Sequence, residues 1–193
     1  MGREFELKYG ASPEVLMAIR EKYGPFTTIT MKTVYYDTPS GVLRPRRWTL
    51  RRRMENGQPV CTLKTPGDNN SRGEWEVDCP SIEEAIPLLI ELGAPEELAV
   101  LTEEGLVPTC GVCFARLAAE VVWGESVLEL ALDQGEFVAG EKTAPFAEAE
   151  VELKQGSDAD AISFGALLAQ DFGLTEESDS KLKRALALAQ LGR

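Results

Sequence analysis

The sequence predicts an α+β protein built on antiparallel strands, and three patterns carry that prediction. Charged and apolar residues alternate strictly in Glu148-Ala149-Glu150-Val151-Glu152-Leu153-Lys154, and again in Glu4-Phe5-Glu6-Leu7-Lys8. Successive strand side chains point to opposite faces, so each stretch puts its charges on one face and its apolar groups on the other. Turn signals such as Asn56-Gly57 and Gly124-Glu125 join neighbouring alternating runs into hairpins. Amphipathic stretches with capping residues supply helices to lie on the apolar sheet surface.

In chain order, the first strand covers about residues 3–9. Ser12-Pro13-Glu14 starts a helix, with a capping serine and a proline in the first turn, and Gly24-Pro25 stops it. Residues 33–38 read as a strand, and Pro39-Ser40-Gly41 as a turn. Residues 47–54 and 60–65 form a hairpin that carries Arg51 and Arg53, then Thr62 and Lys64, on one face. A strand over 72–77 follows, alternating Arg72, Glu74 and Glu76 against Gly73, Trp75 and Val77. Ser81 opens a helix with a capping box to Glu84, and Gly93 ends it. A helical or irregular stretch runs to about Leu106. Strands over 114–123, 126–133 and 147–154 place Arg116, Glu129, Asp133, Glu150 and Glu152 on charged faces. Helices over 158–172 and 180–191 complete the chain, making eight strands in one domain spanning 1–193.

Composition excludes several function classes. The formal net charge of −12 argues against general nucleic-acid binding, which depends on neutralising phosphates. The complete lack of histidine removes Ser-His-Asp and Cys-His catalysis and histidine-ligated zinc. Cys110-Gly-Val-Cys113 has zinc-pair spacing, but a structural zinc site takes four ligands, so free or buried thiols are expected. No apolar run reaches membrane-spanning length and no signal-peptide pattern opens the chain, so a cytoplasmic location is expected.

Pattern alone leaves two architectures open. The ordinary antiparallel design buries the apolar faces and solvates the charged ones. Here the charged faces are rich in long residues of both signs, and eight strands can close into a barrel wide enough for a small ligand. A closed barrel with its charges inward would hold clustered carboxylates beside Arg and Lys. Such a cavity suits an oxygen-ligated divalent cation together with a polyphosphate.

Glu4-x-Glu6-x-Lys8 resembles the signature of the CYTH superfamily, the triphosphate tunnel metalloenzymes. Tyr35-Tyr36-Asp37-Thr38, Leu50-Arg51-x-Arg53, Thr62-Leu63-Lys64 and Arg72-x-Glu74 fall in that family's order. So do Glu129-Leu130-Ala131-Leu132-Asp133-Gln134-Gly135-Glu136, Ala139-Gly140-Glu141, Glu150-x-Glu152 and Ser180-Lys181-x-x-Arg184. The stretch from Leu132 to Glu141 looks most like the catalytic domain of bacterial inorganic triphosphatases, in which a CHAD domain often follows.

The resemblance implies a closed eight-stranded antiparallel tunnel with a charged interior, covered outside by helices, that hydrolyses a triphosphate with Mg²⁺ or Mn²⁺. Glu4, Glu6, Glu150 and Glu152 would hold metal, and Lys8 would position the attacking water. Arg51, Arg53, Lys64, Arg72, Arg116, Lys181 and Arg184 would grip phosphate, with Glu74, Glu129 and Asp133 supporting them. The expected substrate is inorganic tripolyphosphate. The alternatives are thiamine triphosphatase, nucleoside triphosphatase, class IV adenylate cyclase, or a non-catalytic polyphosphate- or nucleotide-binding module.

The partner expected is a small anionic triphosphate, with no membrane and no general nucleic acid; a homodimer stays open. The charged strands show no aromatic platform for an organic head group. Glu76, Glu120 and Glu148 read as solvated strand ends, and Lys154 and Lys183 as surface charges. Tyr35 and Tyr36 read as packing residues, while Arg52 breaks the alternation and should face helices or solvent.

Overall fold

The computed structural model describes residues 5–66 and 72–190, which leaves Glu4 outside it. The chain runs β1 (Glu6–Gly10), α1 (Pro13–Tyr23), β2 (Thr27–Asp37), β3 (Thr49–Glu55), β4 (Gln58–Pro66) and β5 (Arg72–Asp78). Then come α2 (Ile82–Glu91), α3 (Glu97–Leu101), β6 (Val107–Trp123), β7 (Ser126–Ala139) and β8 (Lys142–Gln155). The chain closes with α4 (Asp158–Phe172), β9 (Thr175–Glu176) and α5 (Lys181–Gln190).

Local chemistry sets the helix boundaries. The hydroxyls of Ser12, Ser81 and Ser157 accept the N–H groups of Val15, Glu84 and Asp160, satisfying donors that the first helical turn leaves open. Gly173 ends α4 at φ 65°, a left-handed conformation that a side chain would strain.

The strands form one sheet in the order β5-β4-β3-β2-β6-β7-β8-β1-β9. All its pairings are antiparallel. This corrects the expected closed eight-stranded barrel: among the described residues the sheet has nine strands, and its hydrogen-bonded ladder ends at β5 and β9. The added strand, β9, pairs Thr175 and Glu176 with Gly10 and Tyr9.

Strands β6, β7 and β8 also exceed their expected spans, and one feature explains it. Beyond Asp133 and before Glu148 the charged face turns apolar through Phe137, Ala139, Ala144 and Phe146, so alternation of charge no longer marks the strand.

Two helix layers lie on the apolar face. Helices α2 and α3 cover Leu50, Cys61 and Leu63 with Ile82, Ala85, Leu89 and Leu98. Helices α1 and α4 cover Leu128, Leu130, Leu132, Ala149 and Val151 with Leu16, Ile19, Phe164 and Leu168.

Helix α5 departs from the expected outer covering. Its Ala185 and Leu188 pack on Met31, Tyr35, Val112, Phe114, Phe137 and Phe146. Cross-strand pairing places those residues on the charged face: Thr33 is opposite both Arg53 and Val112, and Val112 is opposite Phe137. No helix among the described residues is long and apolar enough to cross a membrane.

Candidate functional site

Residues directly opposite in an antiparallel pair share a face, so the pairing alone maps the charged surface. Its basic side lies on β3, β4 and β5. Arg51 is opposite Thr62 and Thr62 opposite Glu76, while Lys64 is opposite Glu74 and Pro66 opposite Arg72. Glu74 supports the cations: its Oε1 lies 3.2 Å from Lys64 Nζ and 4.0 Å from Arg51 Nη2.

Arg53 donates from Nε to Thr33 Oγ1 at 3.3 Å and pairs with Glu55 at 3.0 Å. Burial, then the neighbouring Arg51 guanidinium, pushes its pKa down, so this wall favours an incoming anion. Among the described residues, the buried Arg51 Nε has no hydrogen-bond partner, a cost that a ligand oxygen would relieve. Arg52 lies opposite Val34 and Cys61 on the apolar face, as expected.

The centre of the face is an ion cluster. Asp133 and Glu148 lie opposite each other on β7 and β8, and both are fully buried. Arg116 grips Asp133 with two hydrogen bonds, Nε to Oδ1 at 2.8 Å and Nη2 to Oδ2 at 2.7 Å. Its Nη2 also meets Glu150 Oε2. Lys181 enters from α5 and reaches Glu150 Oε1 at 2.7 Å, Asp133 Oδ2 at 2.8 Å, and Glu148. Arg184, one helical turn later, pairs with Glu148 and with Glu177 at 3.6 Å.

Three buried carboxylates (Asp133, Glu148, Glu150) thus meet three cations (Arg116, Lys181, Arg184), and the cluster sums to zero. Burial alone would raise the Glu150 carboxyl, but the Lys181 ammonium and Arg116 guanidinium outweigh it and hold that group well below the usual carboxylate range. Glu148 goes the other way: burial pushes its carboxyl up, with the Glu150 charge adding to the rise, against Lys181 and Arg184. Despite their own burial, Arg116 and Lys181 are held protonated by these carboxylates.

Glu148 therefore corrects the sequence reading. Expected as a solvated strand end, it is buried and doubly ion-paired. A strand position says only which face a residue takes; the cations that bury it arrive from a distant helix.

The acidic side continues along β1, β8 and β7. Glu6 is opposite Glu152 and Glu152 opposite Glu129, and Lys8 is opposite Glu150. Like charges directly opposite one another are destabilising unless a cation answers them. Lys154, expected as a plain surface charge, partly does so, reaching Glu152 at 2.8 Å and Glu129 at 3.7 Å. Its exposed neighbour Glu120 joins Thr27, Ala118, Glu129 and Lys154 in lining a cavity of about 320 Å³.

The oxygen donors of Glu6, Glu129 and Glu152 fit a hard cation such as Mg²⁺ or Mn²⁺. Among the described residues, the carboxylate oxygens that converge within 4.8 Å are those of Asp133, Glu148 and Glu150, and Arg116, Lys181 and Arg184 already answer their charge.

The structure brings together Lys8, Glu6, Glu150, Glu152, Arg116, Glu129, Asp133, Lys181 and Arg184 around β7 and β8, and Arg51, Arg53, Lys64 and Glu74 on β3–β5. Arg72 is placed by its strand position alone, and Glu4 lies outside the described residues. The CxxC cysteines separate, since a spacing of three along β6 sends Cys110 and Cys113 to opposite faces.

Three phenylalanines on the charged face escaped the sequence reading. Phe137 stacks on Phe146 at 4.6 Å, and Phe114 meets Phe146 edge-on at 5.8 Å. The signal was present, since Phe137 and Phe146 flank the Gly140 turn at positions in phase with Asp133 and Glu148.

One face of this antiparallel sheet thus carries arginine and lysine rows, carboxylate rows and a buried ion cluster. The chain belongs to the CYTH domain family, which it matches over residues 2–186. An inorganic triphosphatase of Haemophilus influenzae is 31% identical over 195 residues, covering 97% of this chain and 55% of that protein. The chain thus spans about half the length of this curated relative.

Several solved structures share the fold, of which two serve as examples. HpAC1 of Hippeastrum, described as a candidate adenylyl cyclase with a dominant triphosphatase activity, superposes with a TM-score of 0.66 at 21% identity. That match covers 100% of this chain and 97% of HpAC1. PH1819 of Pyrococcus horikoshii gives 0.64 at 21% identity, covering 95% and 98%.

Proposed function

We propose that the chain hydrolyses inorganic tripolyphosphate to pyrophosphate and phosphate, with Mg²⁺ or Mn²⁺, on its charged face folded as a tunnel. The observation that carries this reading is the placement of a basic wall on β3–β5 and a carboxylate wall on β1, β7 and β8 on one face of one sheet. Arg51, Arg53, Lys64 and Arg72 bind the phosphate oxygens, with Glu74 orienting Lys64 and Arg51. Glu4, Glu6, Glu150 and Glu152, supported by Glu129, would hold the metal, which would supply charge neutralisation of the phosphates and polarisation of water.

Lys8, opposite Glu150, orients the attacking water toward the terminal phosphorus. The new bond joins that oxygen to phosphorus while the bond to the bridging oxygen breaks. Pyrophosphate leaves with the electron pair, and the water's proton passes to solvent. Arg116, Lys181 and Arg184 add positive charge beside the leaving group, where a loose phosphoryl-transfer state gathers it.

The triphosphatase relative, matched over 97% of this chain, supports this substrate class. The test measures phosphate release from tripolyphosphate, ATP and thiamine triphosphate in parallel, with Mg²⁺ or Mn²⁺ and an EDTA control. Metal-dependent release from tripolyphosphate alone is expected. Preference for an organic triphosphate moves the substrate to another CYTH activity. No release from any, with cyclic AMP formation also absent, leaves a binding module and sinks the hydrolase.

A further inference from the structure

The charged strands carry the aromatic surface that an organic triphosphate would need, and the protein covers it with its own helix. Phe114, Phe137 and Phe146 form a floor on β6, β7 and β8. It adjoins the charged centre, since the guanidinium of Arg116 lies 5.9 Å from the Phe114 ring centroid.

Helix α5 lies on this floor. Its Ala185 is fully buried there and Leu188 nearly so, with Leu182 alongside. The helix is fixed twice over. Lys181 sits 5.1 Å from the Phe114 centroid and Arg184 4.9 Å from that of Phe137, while both pair with buried Glu148. A nucleobase or thiazolium ring gains its binding by stacking on such a surface. A bare phosphate chain needs only the cations.

We propose that α5 sets the substrate selectivity of the site: by covering the Phe114–Phe137–Phe146 floor with Leu182, Ala185 and Leu188, it denies an organic head group its stacking surface and leaves the face to inorganic polyphosphate. Leu182, Ala185 and Leu188 are selectivity residues and touch no reacting atom. The inference rests on the triphosphatase reading of the same face.

The test loosens the apolar docking and leaves Lys181 and Arg184 in place. The variant is Leu182→Ala/Leu188→Ala, with Ala185→Gly alone as the gentler form should the double variant fold poorly. The kcat/KM for ATP and for tripolyphosphate is measured with Mg²⁺, and binding of a fluorescent ATP analogue is measured without metal. Hydrogen exchange reports the opening of α5.

The ATP-to-tripolyphosphate ratio should rise at least about fivefold, the low end of what one stacked base contributes, and the analogue should bind more tightly. Adding Phe137→Leu/Phe146→Leu to the loosened variant should return the ratio toward the wild-type value. An unchanged ratio with α5 opened overturns the proposal, as does a rise that survives loss of the phenylalanines. Wild-type protein that hydrolyses ATP as well as tripolyphosphate also overturns it. If the wild type releases phosphate from neither, the hydrolase reading fails instead, and analogue binding still reports whether uncovering the floor creates a nucleotide surface.

Discussion

Replacing Lys181 by methionine should be among the most costly single changes at the charged centre. The side chain is 10% exposed and its ammonium touches three carboxylates, two of them at 2.7 and 2.8 Å. Methionine keeps much of the length and apolar stem but deletes the charge, so three buried carboxylates face two guanidinium groups and one negative charge goes unanswered. Breaking a buried ion pair by removing one partner costs about 3–5 kcal/mol, and that is the expected loss near neutral pH.

The pH dependence fixes the sign. Burial already holds the Glu148 carboxyl above its ordinary value of 4.5, and Lys181 is the largest influence lowering it. A carboxyl raised in the folded state contributes stability that is complete below its unfolded pKa and fades as pH rises through its folded value. Without Lys181 the Glu148 pKa climbs further, so the variant's deficit should be largest near pH 7 and narrow toward pH 5. Glu150, held low in the wild type, behaves oppositely: its contribution is present at neutral pH and is lost only as pH falls through its depressed folded value. Urea unfolding of both proteins with EDTA at several pH values reads this directly. A deficit under about 1 kcal/mol near pH 7, or one that grows on acidification, would refute the ion-cluster account.

Other changes probe separate features. Glu150→Gln should cut metal-dependent phosphate release by about 100-fold or more while circular dichroism shows the fold kept; undiminished turnover at saturating metal removes Glu150 from the ligand set. Phe164→Ala empties a fully buried site where the ring meets Tyr23 at 5.5 Å and Trp123 at 5.4 Å, and should cost about 3–5 kcal/mol in denaturant unfolding. Gly135→Ala would drive a methyl to 2.1 Å from the Cys113 carbonyl oxygen and 2.5 Å from Phe114 Cα. Backbone there cannot step aside, so a loss of at least about 1–3 kcal/mol is expected, and an unchanged melting temperature would contradict the close pairing of β6 and β7. The Cys61 thiol, pushed up to about 11 by burial, should resist alkylation at pH 8 until the protein unfolds.

How much of this could be read from the sequence differs by element. Strands whose charge alternates against apolar residues were legible because the period of two survives in the residue string. The period alone places Arg51, Lys64, Glu129 and Asp133 on the face they share. Around Phe137 and Phe146 the charged face turns apolar, so the charge alternation that marks the strands breaks off and the sequence reading ends them short. Helix α5 shows the limit most clearly. Its stripe of Leu182, Ala185 and Leu188 announces an amphipathic helix but does not say which sheet face receives it, because the apolar and aromatic surfaces that compete for it lie far away in sequence. Glu148 followed from that error. Its burial is the work of Lys181 and Arg184, and without the helix on that face the residue reads as a solvated strand end.

The distribution of charge across the face argues for where ligands belong. At the centre Asp133, Glu148 and Glu150 are matched one for one by Arg116, Lys181 and Arg184, so an added ion there must displace a cation already in place. To either side the match is incomplete. Glu129 and Glu152, directly opposite each other, share Lys154, with Arg116 4.0 Å from Glu129, and the buried Arg51 leaves a donor without a hydrogen-bond partner among the described residues. Unanswered charge costs stability unless a ligand of opposite sign supplies the rest. A cation at the carboxylate row and a phosphate at the arginine wall do so together, whereas either alone leaves one side unrelieved. On this account metal and tripolyphosphate bind with positive coupling, each raising the affinity of the other by the same factor.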